Sequence, residues 1–379
     1  MSRASLALIG AKVFTGGEIR HGIAVVIEGR RIRELVDASK LQQGISRQRL
    51  DGGVLAPGFI DIQVNGGGGV LLNNEPTPEG VRKIARAHRL FGTTGLLPTV
   101  ITDAPEVIGK ALDSVCRVRE AGEAAVLGIH VEGPFIDSKR KGAHEEAYIR
   151  SMTDADIGEL AMRRCGVMLV TLAPNRVSPD MITKLTQAGV IVSLGHSDAS
   201  AEEAFAGIRA GARSFTHLFN AMSQMEGRTP GMAGAALADE HSYFSIIADG
   251  HHVSDVALRV AFKASNMNRV VLISDAMSSA AGGPDDFLLQ GRKVSRRNGR
   301  LELEGGTLAG SDLTMDQAVR YCVNRLDYRL EDVLAMASTN PATLLGLAHE
   351  LGLIRVGHLA SLVHLSDDLQ VKKTWVEGG

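Results

Sequence analysis

From Val54 onward, short apolar runs alternate with amphipathic segments, the rhythm of βα units winding around a parallel sheet. The runs read FIDIQVN from Phe59, TGLLPTV, VLGIHVE ending at Glu132, VMLVTLA, VIVSLGH ending at His196, SFTH ending at His217, FSIIAD, and VVLISD ending at Asp275. Eight of them favour closure into a (β/α)8 TIM-like barrel over an open sheet. Ser178 to His196 shows one unit in detail. Ser178 can cap a helix, Pro179 suits its first position, Met181, Ile182 and Leu185 form an apolar stripe, and Gly189 ends it before the next strand. Five polar residues, Asp61, Glu132, His196, His217 and Asp275, are read at the ends of these runs, where a barrel gathers side chains at one mouth.

The flanks differ. Residues 4–52 carry short apolar runs such as IAVVIEG and RIRELV between turns at Gly16-Gly17 and Gly29. Beyond two helical segments near 315–326 and 331–346, LASLVHL and VKKTWVEG return to β character. The two termini, 1–53 and 348–379, are therefore expected to form one small β-sandwich domain beside a catalytic barrel over 54–347. With 379 residues, 44% of them hydrophobic and 22% charged, the chain can bury a large core. A net charge of −2 without a basic block excludes nucleic acid and anionic membranes as expected partners. Cys116, Cys165 and Cys322 form no close pair, which argues against a disulfide scaffold and fits a reducing cytoplasm. The opening stretch is interrupted by Lys12 and no apolar run reaches about 18 residues, so neither an export signal nor a membrane span is expected.

Glu132, His196 and His217 supply one carboxylate and two imidazoles, a donor set that suits zinc with a position left open for water and can make hydroxide near neutral pH. A lone strand-end histidine is more often a hydrogen-bonded core or surface residue. Two of them with a strand-end glutamate reverse that balance. Asp275 ends the most apolar run and precedes small residues, Ala276 to Gly283, so a catalytic role fits it better than helix capping.

The motifs PGFID, QVNG, GTTG, HVEGPF, KGAH, GHSDA, THLFNAM, ADGHHV, SDAM, LAGS and STNPA follow one another from Pro57 to Ala342. In this order the chain resembles the N-acetylglucosamine-6-phosphate deacetylase family of the amidohydrolase superfamily. The resemblance implies that Glu132, His196 and His217 hold a divalent metal and that Asp275 is the general acid and base. It implies hydrolysis of the acetamide of N-acetylglucosamine 6-phosphate, in amino-sugar catabolism and cell-wall recycling. The galactosamine epimer, or a cyclic amide, is the alternative substrate. Substrate contacts are implied at Ala143, His144, Asn220, Ala221, Arg228, Asp249, Gly250, His251, His252, Leu308, Ala309 and Gly310. Within that set His252 lies beside the acetyl carbonyl, exchanging roles with His251 if the loop shifts by one. Arg228 meets the phosphate of a neighbouring active site across a homodimer interface; a guanidinium fork suits a phosphate monoester.

Two departures stand out. Gln63 and Asn65 occupy places where many members of the superfamily carry HxH, and neutral amides are poor ligands for a second divalent ion. One metal per chain is expected, zinc first, with iron, manganese or cobalt also accommodated, and a vestigial second position at Gln63 and Asn65. Near the C-terminus, Leu359 and Ser361 replace two aspartates of a GxDADLV pattern, within the small β domain. His88, His241 and His349 are expected to be structural or surface residues, and so, apart from what the resemblance implies, is His251 next to His252.

Overall fold

The computed structural model describes residues 5–162, 165–265 and 267–379. All eight apolar runs form strands: Phe59–Val64, Thr93–Ile101, Gly128–Glu132, Val167–Leu172, Ile191–Leu194, Ser214–Phe215, Tyr243–Ile247 and Val270–Ile273. They pair in parallel, each with its predecessor in the chain. Their residues are buried almost throughout, which is why the runs are nearly continuous in Val, Ile and Leu instead of alternating with polar residues. The last strand meets the first at the mouth. Asp275 N donates to Gln63 O at 3.0 Å, Gly66 N donates to Ala276 O at 2.9 Å, and Val64 and Ala276 form a parallel bridge.

Between strands, helix ends follow local chemistry. In Pro179–Gln187, Ser178 Oγ accepts from Met181 N, Ile182 and Leu185 are buried, and Gly189 takes a φ of 84° beyond the end. Thr77 caps Pro78–Arg89, and Ser200 with Glu203 forms a reciprocal capping pair at Ala201–Arg209. The late segments become helices Met315–Arg320, Leu330–Ala337 and Thr339–Leu344, the last two packed on the first and last strands.

The small domain is a β-sandwich. One sheet runs in the order Arg31–Asp37, Ile23–Glu28, Ser5–Ile9, Ser46–Arg49. The other joins Val371–Trp375 and Leu362–Leu365 to Val54–Pro57, Lys12–Phe14 and Ile19–Arg20, so both termini contribute. Leu8, Val25, Ile32, Leu55, Leu362 and Trp375 share one apolar core. Residues 286–311 form a separate antiparallel ribbon whose Leu289, Val294, Leu301 and Ala309 pack on Leu71, Ile101 and Met277 near the barrel mouth.

One expectation needs amending. Cysteine spacing argued against a disulfide scaffold, yet Cys116, in helix Pro105–Glu120, is bonded to Cys165, 49 residues away. The pair is made by the packing of the helix that follows the second strand beside the loop before the fourth, which local spacing cannot reveal. Among the described residues no helix is long and apolar enough to cross a membrane.

Candidate active site

Glu132 is the last residue of its strand, while His196, His217 and Asp275 each lie two residues beyond theirs. These three adopt positive φ values of 47°, 34° and 51°. The left-handed region costs a residue with a Cβ roughly 1 kcal/mol or more, a strain typical of functional positions. Asp61 does not join them. It is the third residue of its strand, and its Oδ1 accepts from the main-chain N of Gln63 and of Ser274, both at 3.3 Å. Burial pushes its carboxyl up to about 7 against these hydrogen bonds. Placing Asp61 at a strand end was therefore wrong: the strand carries Gln63 and Asn65 to the mouth and leaves Asp61 beside the seam with the last strand.

The three expected ligands form one cluster. Glu132 Oε1 lies 3.0 Å from His217 Nε2 and 3.2 Å from His196 Nε2, and the two Nε2 atoms are 3.0 Å apart. These separations approach the edge of about 3.3 Å between donors bonded to zinc at about 2.0 Å. His196 Nδ1 pairs with the carbonyl of Arg140 at 2.9 Å, an acceptor that places the ring proton on Nδ1 and frees the Nε2 lone pair. Burial disfavours a charged Glu132, but the hydrogen bonds and charges of His196 and His217 outweigh it and hold its carboxyl well below the usual range. Burial likewise opposes a charged His217, yet Glu132 raises its pKa. The donor set, its spacing and its electrostatics fit a divalent cation.

Asp275 stands beside this cluster. Gln63 Nε2 donates to Glu132 Oε1 at 3.0 Å and to Asp275 Oδ1 at 3.2 Å, and Asn65 Nδ2 donates to Asp275 Oδ1 at 2.7 Å. Burial, then the Glu132 charge, pushes the Asp275 carboxyl up to about 6. Opposite, His252 Nδ1 pairs with Asp249 Oδ2 at 2.6 Å, while Asp249 Oδ1 accepts from the backbone N of His251 and of His252.

A cavity of about 380 Å³ opens on these groups. Glu132, His196, His217, Asp275, His252 and Asn65 line it, together with Ala143 and His144, Asn220 and Ala221, and Leu308 to Gly310 of the ribbon. His144 is buried, 2.7 Å from Thr102 Oγ1 through Nδ1, and burial keeps it neutral. Asp249, Gly250 and His251 do not line the cavity; Asp249 acts on it through His252, and His251 is exposed. Arg228 is exposed as well, in a neighbouring recess of about 320 Å³ that shares Arg140 with the cavity. Lys139 and Arg140 line the cavity but were not singled out from sequence. Their signal was the basic triplet before Gly142, which has no strand or helix period to mark it.

Residues 54–379 match the amidohydrolase family, and residues 6–55 match the NagA composite domain. The chain is 40% identical over 371 residues to the N-acetylgalactosamine-6-phosphate deacetylase of Shewanella sp. (strain ANA-3), covering 97% of this chain and 94% of that one. It is similar to the crystal structure of N-acetylglucosamine-6-phosphate deacetylase from Pasteurella multocida, with a TM-score of 0.96, 32% identity, and coverage of 99% and 98%. A mutant of the Mycobacterium smegmatis enzyme in complex with N-acetyl-D-glucosamine 6-phosphate gives a TM-score of 0.92 at 31% identity, covering 100% and 99%.

Proposed function

The chain belongs to the amidohydrolase family, and from that premise we propose that it is the deacetylase converting N-acetylglucosamine 6-phosphate to glucosamine 6-phosphate and acetate. The observation that carries this reading is the Glu132, His196 and His217 cluster beside Asp275 at the mouth of a cavity of about 380 Å³, within the size range of small-molecule sites. Glu132, His196 and His217 would hold the divalent cation, zinc by preference, and when bound it would supply Lewis acidity for the water and the acetamide carbonyl. Asp275 takes the proton of the attacking water and returns it to the sugar nitrogen, because an amide does not expel an unprotonated amine at a useful rate. His252, fixed by Asp249, faces the carbonyl oxygen. Ala143, His144, Asn220, Ala221 and the ribbon residues Leu308 to Gly310 enclose the sugar.

Arg228 receives the phosphate of a partner subunit's substrate in a homodimer, which accounts for its place outside its own cavity. The site of action is the cytoplasm, since a sugar phosphate carries close to two negative charges at neutral pH and does not cross a bilayer unaided. The 40% identity to the Shewanella enzyme favours a second substrate reading, N-acetylgalactosamine 6-phosphate, which differs in the orientation of one hydroxyl. Acetate release from both epimers by zinc-loaded protein tests both readings. The higher kcat/KM identifies the substrate, and no acetate from either would overturn the assignment.

A further inference from the structure

Two neutral amides are buried between the two carboxylates of the site: Gln63 is 1% and Asn65 2% exposed. A carboxylate only accepts hydrogen bonds, so the amide nitrogens must face Glu132 and Asp275, and the amide oxygens, the atoms able to ligate a cation, are turned elsewhere. Asn65 Oδ1 has no partner among the described residues, so the orientation of that amide is set by its 2.7 Å bond to Asp275. Both donors converge on the same oxygen, Oδ1, while Oδ2 takes no hydrogen bond among the described residues and the side chain lines the cavity. The main chain adds a third tie, Asp275 N to Gln63 O at 3.0 Å, and His88 Nε2 bonds Gly66 O at 2.8 Å, fixing the loop just after Asn65.

We infer that Gln63 and Asn65 are positioning residues that clamp Asp275 by Oδ1 and leave Oδ2 as the single oxygen that takes and returns the proton. The pair thus has a positive task in place of a lost metal site. The inference rests on the reading of Asp275 as the proton carrier. A carboxylate free to rotate would spend part of its time with neither oxygen aimed at the reacting atoms, and misplacement by about 1 Å can cost on the order of 100-fold in rate.

Asn65→Leu removes the donor at similar volume and leaves Glu132 and its bond to Gln63 untouched; Gln63→Met removes the second donor. The measurements are kcat, KM, zinc per chain, and a crystal structure of each variant. The clamp requires kcat of Asn65→Leu to fall by about 30- to 100-fold with KM within about threefold. One zinc per chain should persist, and the Asp275 carboxylate should be turned or split between orientations. Unchanged kcat with Asp275 held as in the wild type overturns the inference, as does zinc loss in proportion to kcat, which would make the amides servants of the metal. Should Gln63→Met fail to fold, Asn65→Leu decides alone. If the wild type itself releases no acetate, the functional reading falls, and the orientation of Asp275 in Asn65→Leu crystals still decides the clamp.

Discussion

At the residue scale, the side chains that make the site work also load the fold. Asp275 has a left-handed φ of 51°, and its burial together with the nearby Glu132 charge makes its own charge unwelcome. Asn tolerates that backbone region and carries no charge. Asp275→Asn should keep its zinc, lose about 10²- to 10⁴-fold in kcat, and melt a few degrees higher than wild type when both are metal-free. Metal analysis, kinetics and calorimetry on one preparation check all three, and near wild-type kcat would remove Asp275 from the proton path. Asp61 offers a pH test away from the cavity. Its folded pKa, raised from 3.8 to about 7, means that its contribution to stability is full below pH 3.8 and is lost as pH rises through about 7. The slope approaches about 1.4 kcal/mol per pH unit within that window. Asp61→Asn lacks it, so metal-free wild type should lose stability relative to the variant between pH 4.5 and 7.5. Parallel urea midpoints at the two pH values would show that Asp61 does not titrate there.

At the scale of elements, the antiparallel ribbon 286–311 ties one wall of the cavity to the position of Asp275. Ser311 N donates to Asp275 O at 2.9 Å, and Gly310, at a φ of 62°, leaves no room for a side chain: a Cβ there would lie 2.6 Å from Met277 Cγ and 2.9 Å from Asp275 O. Gly310→Ala should push the ribbon off Asp275 and lower kcat/KM by about tenfold or more. Steady-state kinetics beside a melting curve separates this from global unfolding; a variant with wild-type kcat/KM would show that the ribbon gives way freely. The barrel strands were legible in the sequence because both faces of each are buried, leaving apolar runs too continuous to miss. The ribbon's role was not, since alternation in Lys293 to Leu303 marks an apolar face without saying what it covers. The same limit misplaced Asp61, because period-two patterning does not say which residue of a run reaches the mouth. Glu132, His196, His217 and Asp275 could be read because each closes its run. Lys139 and Arg140 could not, because the single 3-10 turn that holds them, Ser138–Arg140, is too short to show a period.

At the scale of the whole molecule, the position of Arg228 bears on whether a second copy of the chain completes the site. Arg228 lines a recess that adjoins the cavity through Arg140 but does not itself line the cavity of its own chain. If a two-fold dimer carries Arg228 into the partner's site, Arg228→Ala and Asp275→Asn injure different components of each composite site. Each homodimer of a single variant is then defective at both sites. A mixed dimer has one site lacking both groups and one site with both intact: Asp275 from the Arg228→Ala chain and Arg228 from the Asp275→Asn chain. With random pairing half the dimers are mixed, and one site in two is restored, so co-expression should recover on the order of a quarter of wild-type activity on phosphorylated substrate. On the same reading, Arg228→Ala alone should lose far more activity on the phosphorylated sugar than on its unphosphorylated counterpart, since the proposed contact of the guanidinium fork is with the phosphate. Separately tagged chains, purified sequentially so that only mixed dimers remain, make the measurement direct. Activity no greater than the average of the two parent variants would mean that each chain supplies Arg228 to its own cavity, or that the phosphate is held by other cations such as Lys139 and Arg140, which already line it.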